Sequence, residues 1–399
     1  MTMAVDRRAG RAQGLTLIGL AMLPALAIVS LVPNLPQLFE HFKDVRNHEL
    51  WVPMVLTIPS LCIALFAPLT GLIADKWGRR PLLLVALVGF SFLGLLPMML
   101  DSLYAIIASR FIVGIAEAAI LTVSNALMGD YFVGEERQKW LGMQTTFGPI
   151  VASALILAGG ALGTRSWRGP FALYALGLVV LVFAAITLWE PAPARSPAQS
   201  QLAPSVARIT FPWMAAAYVG AVTIGVAILY YVQAVQLGRI FSDLGAANPL
   251  KNSIVVTVAS VGVVVGGWSY HRLSRFSVRG TLAIIFIAYG VGYVGLSLST
   301  GYLLGLPFGV IAQYGNGLTL PTLINWALNK YGYEHRGRGM GLWGSCFFVA
   351  QFLSPPVVLA VQHFTGTFLN AVGVLGIVCV LIAAILMMRG RASVLAPSR

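Results

Sequence analysis

Long apolar segments separated by short polar loops repeat along almost the whole chain. Each segment has about 20 residues or more, the length that a helix needs to cross the hydrocarbon core of a bilayer. The chain is 58% hydrophobic and only 10% charged, and a soluble protein of this composition could not cover its surface with polar groups. We therefore expect an all-α integral membrane protein. The pattern predicts twelve transmembrane helices near residues 14–33, 51–74, 81–100, 104–128, 140–163, 170–189, 211–236, 252–271, 279–298, 302–329, 339–362 and 367–388.

The basic residues are distributed unequally among the loops. The net charge is +13, which in a soluble protein would suggest a nucleic-acid partner. Here most of the 26 Lys and Arg residues fall in loops on the same side of the predicted membrane as both termini. The positive-inside rule places that side in the cytoplasm, so we expect cytoplasmic termini and no nucleic-acid partner. The first apolar segment follows three Arg residues but is too long for a secretory signal, and we interpret it as the first span.

One loop differs from the others in composition. Residues 190–210 are rich in Pro, Ala and Ser, which is typical of a linker. This linker follows the sixth predicted span. It divides the chain into an N-terminal six-helix bundle, residues 1–189, and a C-terminal six-helix bundle, residues 211–399.

The most informative stretch lies between predicted spans 2 and 3 and runs from Gly71 to Arg80. Asp75 is at the C-terminal end of its helix, where the macrodipole disfavours an anion, so a cation such as Arg79 must offset it. We expect Gly71 to leave room for a neighbouring helix. We expect Gly78 to permit a turn that a residue with a Cβ would resist.

This stretch resembles the loop signature Gly-x-x-x-Asp-(Arg/Lys)-x-Gly-Arg-(Arg/Lys) of the major facilitator superfamily, and every fixed position matches. The resemblance implies a gate at the cytoplasmic side, closed by Asp130 at the end of span 4 together with Arg79 and Arg137. The alternative is a solvated, charged loop that only sets the topology. The predicted gate residues are Gly71, Asp75, Lys76, Gly78, Arg79, Arg80, Asp130 and Arg137.

The same family has two related halves with the substrate site between them near the membrane midplane. Residues 267–275 follow span 8 as residues 71–79 follow span 2, with His271 in place of the acid and Ser274 in place of the second glycine. The two halves of the chain are pseudo-symmetric on this interpretation. Because the second loop has lost its acid, we expect more charge chemistry in the N-terminal half.

Predicted span 4 carries two opposite charges, Arg110 and Glu117. They are seven residues apart, which is two turns and about 10 Å along one helix face. Charges at this depth are costly and mark pathways or proton relays. The stretch from Arg110 to Gly114 resembles the family's span 4 motif, whose Arg is tied to proton transfer in antiporters, and residues 114–118 resemble a variant of Spinster-like and organic-anion transporters. We predict that Glu117 and Arg110 couple protons; the alternative is a structural tether.

Aromatic rings and amides inside other spans are candidates for a substrate cavity. Such a lining suits amphipathic organic molecules better than ions or phosphates. The alternative is that these side chains only pack the helices against one another. The candidates are Gln144, Tyr230, Tyr231, Gln233, Gln313, Tyr314, Asn316, Trp343 and Phe347.

We predict an alternating-access transporter that exports a small organic molecule in exchange for protons. It most resembles the drug:proton antiporter branch, because Gly148-Pro149 in span 5 is similar to that branch's motif. The alternatives are a proton symporter, a facilitator of a sugar, lipid or organic anion and, outside the family, a channel or receptor.

Phosphate-loop, zinc-pair and nucleophile-elbow motifs are missing from the sequence. We therefore expect no enzymatic activity, no cofactor and no metal. The expected partners are a small organic substrate, protons and the lipid bilayer. We expect a monomer in the inner or plasma membrane of the cell, crossing it many times.

Overall fold

The computed structural model describes residues 9–191, 211–273, 275–332 and 335–395. Within these ranges the chain is a bundle of α-helices. Helices satisfy their backbone hydrogen bonds internally, which an apolar segment must do in lipid. Ser274 and linker residues 192–210, to which parts of the sequence predictions refer, lie outside the described residues.

The N-terminal helices are α1 to α7. A 3₁₀ stretch at Gly169–Ala175 leads directly into α7. The helices are α1 Arg11–Val29, α2 Leu35–His41, α3 His48–Trp77, α4 Arg79–Leu95, α5 Leu103–Tyr131, α6 Gly134–Gly163 and α7 Leu176–Thr187.

The C-terminal helices are α8 to α14. Predicted span 8 consists of two helices, α9 and α10, which are separated at Ser260. The helices are α8 Trp213–Asp243, α9 Pro249–Ala259, α10 Val261–Leu273, α11 Val278–Leu298, α12 Tyr302–Leu328, α13 Arg336–Thr365 and α14 Phe368–Leu395.

Side chains and glycines define several helix boundaries. Asn248 caps α9, because its Oδ1 accepts the backbone N–H groups of Leu250 at 3.0 Å and Lys251 at 3.2 Å. The Ser277 hydroxyl accepts the Gly280 N–H at 3.2 Å and caps α11. Such caps satisfy N–H groups that have no partner within the helix. Gly78 separates α3 from α4 with φ +94°, a conformation that only glycine adopts freely.

Ten helical segments in the described part of the chain are long and apolar enough to cross a membrane. Helices α1 and α12 occupy the positions of predicted spans 1 and 10, but they are not among these ten. In α12, polar residues such as Gln313 and Asn316 dilute the apolar sequence. The many apolar helices confirm the prediction of a multi-pass, all-α protein. The count of twelve and the side on which the termini lie stay predictions.

The two ends of the bundle differ in charge. The end at which α3 meets α4 carries Lys76, Arg79 and Arg80, and we call it the basic end. The other end, where α6 and α8 finish and α9 begins, is called the opposite end. Helix α5 runs from the opposite end to the basic end, so Arg110 lies nearer the opposite end and Glu117 lies midway.

The N-terminal and C-terminal helices pack closely at the opposite end. A Cβ at Gly160 of α6 would lie 2.7 Å from the Pro249 carbonyl oxygen of α9. A Cβ at Gly238 of α8 would lie 2.9 Å from the Val32 carbonyl carbon, beyond the end of α1. Small residues allow helix backbones to approach this closely in a membrane. The opposite end is therefore closed between the two groups of helices.

Toward the basic end the facing helices are more exposed. At mid-depth the Ser345 hydroxyl of α13 donates to the Ala64 carbonyl of α3 at 3.0 Å. Nearer the basic end, a Cβ at Gly341 or Gly344 of α13 would meet no described atom within 4 Å. Phe147, midway along α6, is also exposed.

Candidate functional site

Arg79 is the centre of an ionic cluster at the basic end. Its guanidinium is ion-paired with Asp130 at the end of α5. A second carboxylate, that of Asp75 at the end of α3, lies 3.9 Å away. Both carboxylates sit at C-terminal helix ends, where the macrodipole disfavours an anion. The cation thus holds together the ends of α3 and α5 and the start of α4.

The other predicted gate residues lie around this cluster in different roles. Arg80 Nη2 donates to the Ala185 carbonyl of α7 at 2.8 Å. The Arg137 guanidinium lies near Gly129, with its Cζ 3.7 Å from a Cβ built there, but it forms no ion pair with Asp130 among the described residues. Lys76 is in the last turn of α3 and is exposed.

Gly78 and Gly71 differ in how much the structure requires them. The left-handed φ at Gly78 meets the expectation of a glycine turn. A Cβ at Gly71 would lie 3.8 Å from Cγ2 of Thr122, which is an ordinary contact. The prediction that Gly71 leaves room for a neighbouring helix is wrong in this conformation, because an alanine would fit there.

Glu190 completes the cluster, and sequence reasoning missed it because it was assigned to the linker. Its carboxylate accepts the backbone N–H groups of Arg79 at 2.8 Å and Arg80 at 2.7 Å. An anion at these unpaired N–H groups satisfies them and opposes the positive end of the α4 dipole. The neighbouring Trp189 stacks on Tyr131, with ring centroids 4.6 Å apart. The chain after α7 is therefore bound to the start of α4 and the end of α5.

Arg110 is fully buried and is bound to α4. Its Nη2 donates to the carbonyls of Leu93 at 2.8 Å and Gly94 at 3.1 Å. The guanidinium also lies over the rings of Tyr174 at 4.7 Å and Phe171 at 5.3 Å, which belong to the 3₁₀ stretch before α7. A cation is favoured at a helix C-terminus and on aromatic faces. Its hydrogen bonds to other helices therefore go to the end of α4, a partner that the spacing of charges in span 4 does not reveal.

Glu117 is 1% exposed and lies midway along α5. It forms no ion pair within 4.0 Å with Arg110 or any other described residue, and its Oε1 has no hydrogen-bond partner among them. Helix α3 approaches closely at Gly114, where a Cβ would lie 2.6 Å from Cα of Pro59 and 2.7 Å from Cβ of Cys62. The carboxyl is thus enclosed within the N-terminal helices, where an uncompensated charge is costly.

Four of the predicted cavity residues form a single aromatic cluster between α8 and α13. We call Tyr230, Tyr231, Trp343 and Phe347 the aromatic cluster. The Phe347 ring centroid lies 5.5 Å from that of Tyr230, 5.1 Å from that of Tyr231 and 5.4 Å from that of Trp343. These are the separations at which aromatic rings attract one another.

Two buried amides lie within one turn of the aromatic cluster on the same helices. Gln233 is 1% exposed, and Gln351, which follows Phe347 by four residues, is 0% exposed. Neither nitrogen nor oxygen of either amide has a hydrogen-bond partner among the described residues, and the same holds for Nε1 of Trp343. Buried polar groups are normally paired, so these atoms are available to a molecule that carries donors and acceptors.

The remaining cavity candidates are not joined to the aromatic cluster by hydrogen bonds or ring contacts among the described residues. Asn316 Nδ2 donates to Gln313 Oε1 at 2.8 Å, and its Oδ1 accepts from the Tyr289 hydroxyl at 2.7 Å. The Tyr314 hydroxyl accepts from Ser269 at 3.0 Å. These groups bind α12 to its neighbours α10 and α11. Gln144 is half-buried on α6.

A cation that sequence reasoning missed lies at the opposite end. Arg239 of α8 is sandwiched between two rings, with its Cζ 4.4 Å from the centroid of Phe39 and 4.1 Å from that of Phe368. Phe39 belongs to the N-terminal helices and Phe368 to the C-terminal helices. Arg239 therefore connects the two groups at the end where α6 and α8 pack closely against the other group.

These features define a class of protein. Apolar helices in two groups, closed at one end, with unpaired polar atoms buried inside, are the arrangement of a helical membrane transporter. The family model of the Major Facilitator Superfamily matches residues 15–355. The chain belongs to this superfamily, whose members are transporters rather than enzymes.

Individual relatives agree with this assignment. The class B tetracycline resistance protein of Escherichia coli is 31% identical over 175 residues, which cover 43% of this chain and 42% of that protein. The class C tetracycline resistance protein of Escherichia coli is 23% identical over 378 residues, covering 89% of this chain and 91% of that protein. The predicted similarity to drug antiporters and the placement in the cell membrane are confirmed.

A solved structure has the same fold. It is a bacterial homologue of the human lysosomal transporter Spinster, in an inward-facing and occupied conformation. The TM-score is 0.73 at 14% identity, covering 96% of this chain and 98% of that one. At this identity the similarity concerns the fold alone.

Proposed function

We propose that the protein exports a small organic molecule in exchange for protons, by alternating access. The observation that carries this proposal is the buried carboxyl of Glu117, whose Oε1 is without a partner among the described residues. A proton bound there removes from the membrane interior a negative charge that has no ion-pair partner within 4.0 Å among the described residues. Opening of the helices around Glu117 would expose the carboxyl and release the proton. The similarity to tetracycline resistance proteins supports export of an organic molecule.

In this mechanism Arg110 is a positioning residue. Its Nη2 donates to two α4 carbonyls, so it fixes the rotation of α5 and thereby the direction in which Glu117 faces. The positive charge lies on the same helix face as the carboxyl, two turns away. It acts on proton binding through the field rather than by direct contact.

The substrate site is proposed at the aromatic cluster and the amides of Gln233 and Gln351. Rings at 5.1 to 5.5 Å from Phe347 offer faces for a planar, largely apolar molecule. The two unpaired amides offer two NH₂ groups as donors and two carbonyl oxygens as acceptors to its polar groups. Pockets of this kind bind organic molecules through an apolar lining and a few convergent polar groups.

We further propose twelve spans in two six-span halves, residues 1–189 and 211–399, joined by the linker 190–210. The basic end would face the cytoplasm, as the positive-inside rule requires. The observed conformation would then be open inward, because the helices pack closely at the opposite end. The cluster of Arg79, Asp75 and Asp130 would form the N-terminal part of the inner gate, in a protein that acts as a monomer.

The test is transport in proteoliposomes, with tetracycline as the first probe and an imposed pH difference as the only driving force. The Glu117→Gln variant resembles the protonated side chain in shape but cannot titrate. We expect it to lose accumulation against a gradient while tetracycline exchange without a gradient survives. Glu40→Gln is the matched control, because Glu40 forms an exposed ion pair with Lys43.

The outcomes separate the remaining functions. Accumulation by Glu117→Gln at the wild-type level would make the residue a structural tether and contradict the proton site. Accumulation that follows the proton gradient in the same direction would indicate a symporter. Equilibration without any effect of the pH difference would indicate a facilitator.

A further inference from the structure

A large cavity, distinct from the aromatic cluster, opens at the basic end of the C-terminal helices. Its volume is about 1770 Å³, whereas pockets for drug-sized molecules have about 300–1,000 Å³. The walls come from α8, α11, α12 and α14, together with the residues that flank α11 and α12. All of its lining residues belong to the C-terminal half, so it is separate from the space between the two halves.

The interior of this cavity is apolar. Leu282 and Phe286 of α11 line one wall, and Val222 and Val226 of α8 line another. Gly225, also in the lining, lies midway along α8, and a Cβ built there would meet nothing within 4 Å among the described residues. Protein interiors are normally close-packed. An apolar space of this size next to a bilayer is therefore suited to a flexible hydrocarbon chain.

The mouth of the cavity is positively charged. Arg279 at the start of α11 and Lys330 just after α12 both line it. The start of α11 adds the positive end of a helix dipole. Both side chains are exposed at the basic end, within reach of lipid headgroups.

The two cations have no carboxylate partner among the described residues. In residues 211–399 the acidic residues are Asp243 and Glu334. Asp243 ends α8 at the opposite end, and Glu334 lies outside the described residues. Within the described part of the chain, the cavity therefore combines an apolar interior with two cations at its mouth that have no ion-pair partner.

We propose that this cavity binds an anionic phospholipid from the bilayer leaflet at the basic end. The phosphate lies between Arg279 and Lys330. One acyl chain extends along α11 from Arg279 to Phe286, a distance of two helical turns or about 10 Å. Charge complementarity distinguishes this ligand from a zwitterionic lipid, which brings no net negative charge.

The first test measures lipid binding to the purified full-length protein by native mass spectrometry. Phosphatidylglycerol and phosphatidylcholine with the same acyl chains are titrated separately. We expect phosphatidylglycerol to bind about tenfold more tightly, because two cations at a membrane surface favour an anionic headgroup. The double variant Arg279→Gln/Lys330→Gln should lose this preference. Arg275→Gln/Arg336→Gln is the matched control, since both residues lie at the basic end outside the cavity.

The second test fills the cavity. Gly225→Leu should weaken the binding of both lipids at least several-fold, because its side chain occupies the chain-binding space. Gly341→Leu is the control, because its Cβ also meets nothing among the described residues within 4 Å but lies outside this cavity. Unchanged binding in Gly225→Leu, or an unchanged preference in the double charge variant, would overturn the proposal.

Two competition arms identify the source of the ligand. Glycerol phosphate, which has the headgroup charge without chains, should not displace phosphatidylglycerol; displacement at equal concentration would overturn a lipid site. Tetracycline should not displace it either, and competition would assign the cavity to the substrate pathway instead. Because these measurements require no transport, their failure is distinguishable from failure of the proposed export function.

Discussion

The Arg79 guanidinium is ion-paired with the Asp130 carboxylate, and this pair joins the start of α4 to the end of α5. Asp75 lies 3.9 Å from the same guanidinium and is the more exposed of the two acids. Both acids therefore depend on one cation. Changes to residues that share a partner are not additive, which makes the cluster testable as a unit.

Asp130→Asn and Asp75→Asn should each slow tetracycline transport strongly while membrane insertion and folding stay intact. We expect a loss of about tenfold for Asp130→Asn, because a hydrogen bond to a charged group contributes about 1.5–3 kcal/mol. The double variant should be little slower than the slower single variant. Initial transport rates in proteoliposomes measure these losses, with Glu136→Gln as an exposed control at the start of α6.

His271→Ala, in the corresponding loop of the second half, should have a much smaller effect on the transport rate than Asp75→Asn. Equal losses would mean that the two loops act symmetrically.

Glu190→Ala should lower the thermal unfolding temperature by about 1–2 °C, since loss of a helix cap costs about 1 kcal/mol and the unfolding entropy grows with chain length. The physical reason is that two N–H groups of α4 lose their acceptor. Glu190→Asp, whose shorter side chain still carries the charge, should recover part of the loss. The unfolding temperatures of both variants are measured in detergent. An unchanged unfolding temperature in Glu190→Ala would show that water replaces the carboxylate without loss.

Arg239→Gln should destabilise the closed opposite end, because it removes a cation held between Phe39 and Phe368. We expect faster modification of Cys introduced at the buried Ser30 by an impermeant maleimide, in a variant without Cys62, Cys346 and Cys379. Each cation–π contact is worth about 0.5–2 kcal/mol, so a rise of several-fold is expected.

Lys251→Gln is the matched control for Arg239→Gln. Its Nζ lies 4.1 Å from the Tyr302 ring centroid. Both residues belong to the C-terminal helices, so this cation–π contact does not connect them to the N-terminal helices. Equal modification rates in the two variants would show that Arg239 does not stabilise the closed opposite end.

Gln351→Leu should raise or maintain stability while it weakens tetracycline binding. A buried amide without partners costs free energy, and its replacement by an apolar group of similar size removes that cost. Asn316→Leu is the comparison, because its amide is hydrogen-bonded to Tyr289 and Gln313. We expect Asn316→Leu to lose about 1–3 kcal/mol of stability. Thermal unfolding and equilibrium binding of both variants decide whether Gln351 serves the substrate or the fold; lower stability in Gln351→Leu would indicate the fold.

The sequence by itself determined the properties that depend on local patterns. Apolar length and loop charge predicted a multi-pass helical protein, and the stretch from Gly71 to Arg80 identified the family. Both signals are contained in contiguous residues, so neither requires knowledge of which helices meet. The ion pair of Arg79 with Asp130 was also predicted, because the family resemblance brings these two loop positions together.

The tertiary structure decided which side chains are partners. Arg110 and Glu117 share a helix face, yet the arginine bonds to carbonyls at the end of α4, and this partner is sixteen or seventeen residues away in sequence. Glu190 was assigned to a linker but caps α4, and Arg239 gave no signal beyond being a basic residue near a span end. Spacing along one helix fixes the direction of a side chain relative to its own axis. The neighbour that it faces depends on how separate helices pack, and only the folded structure fixes that.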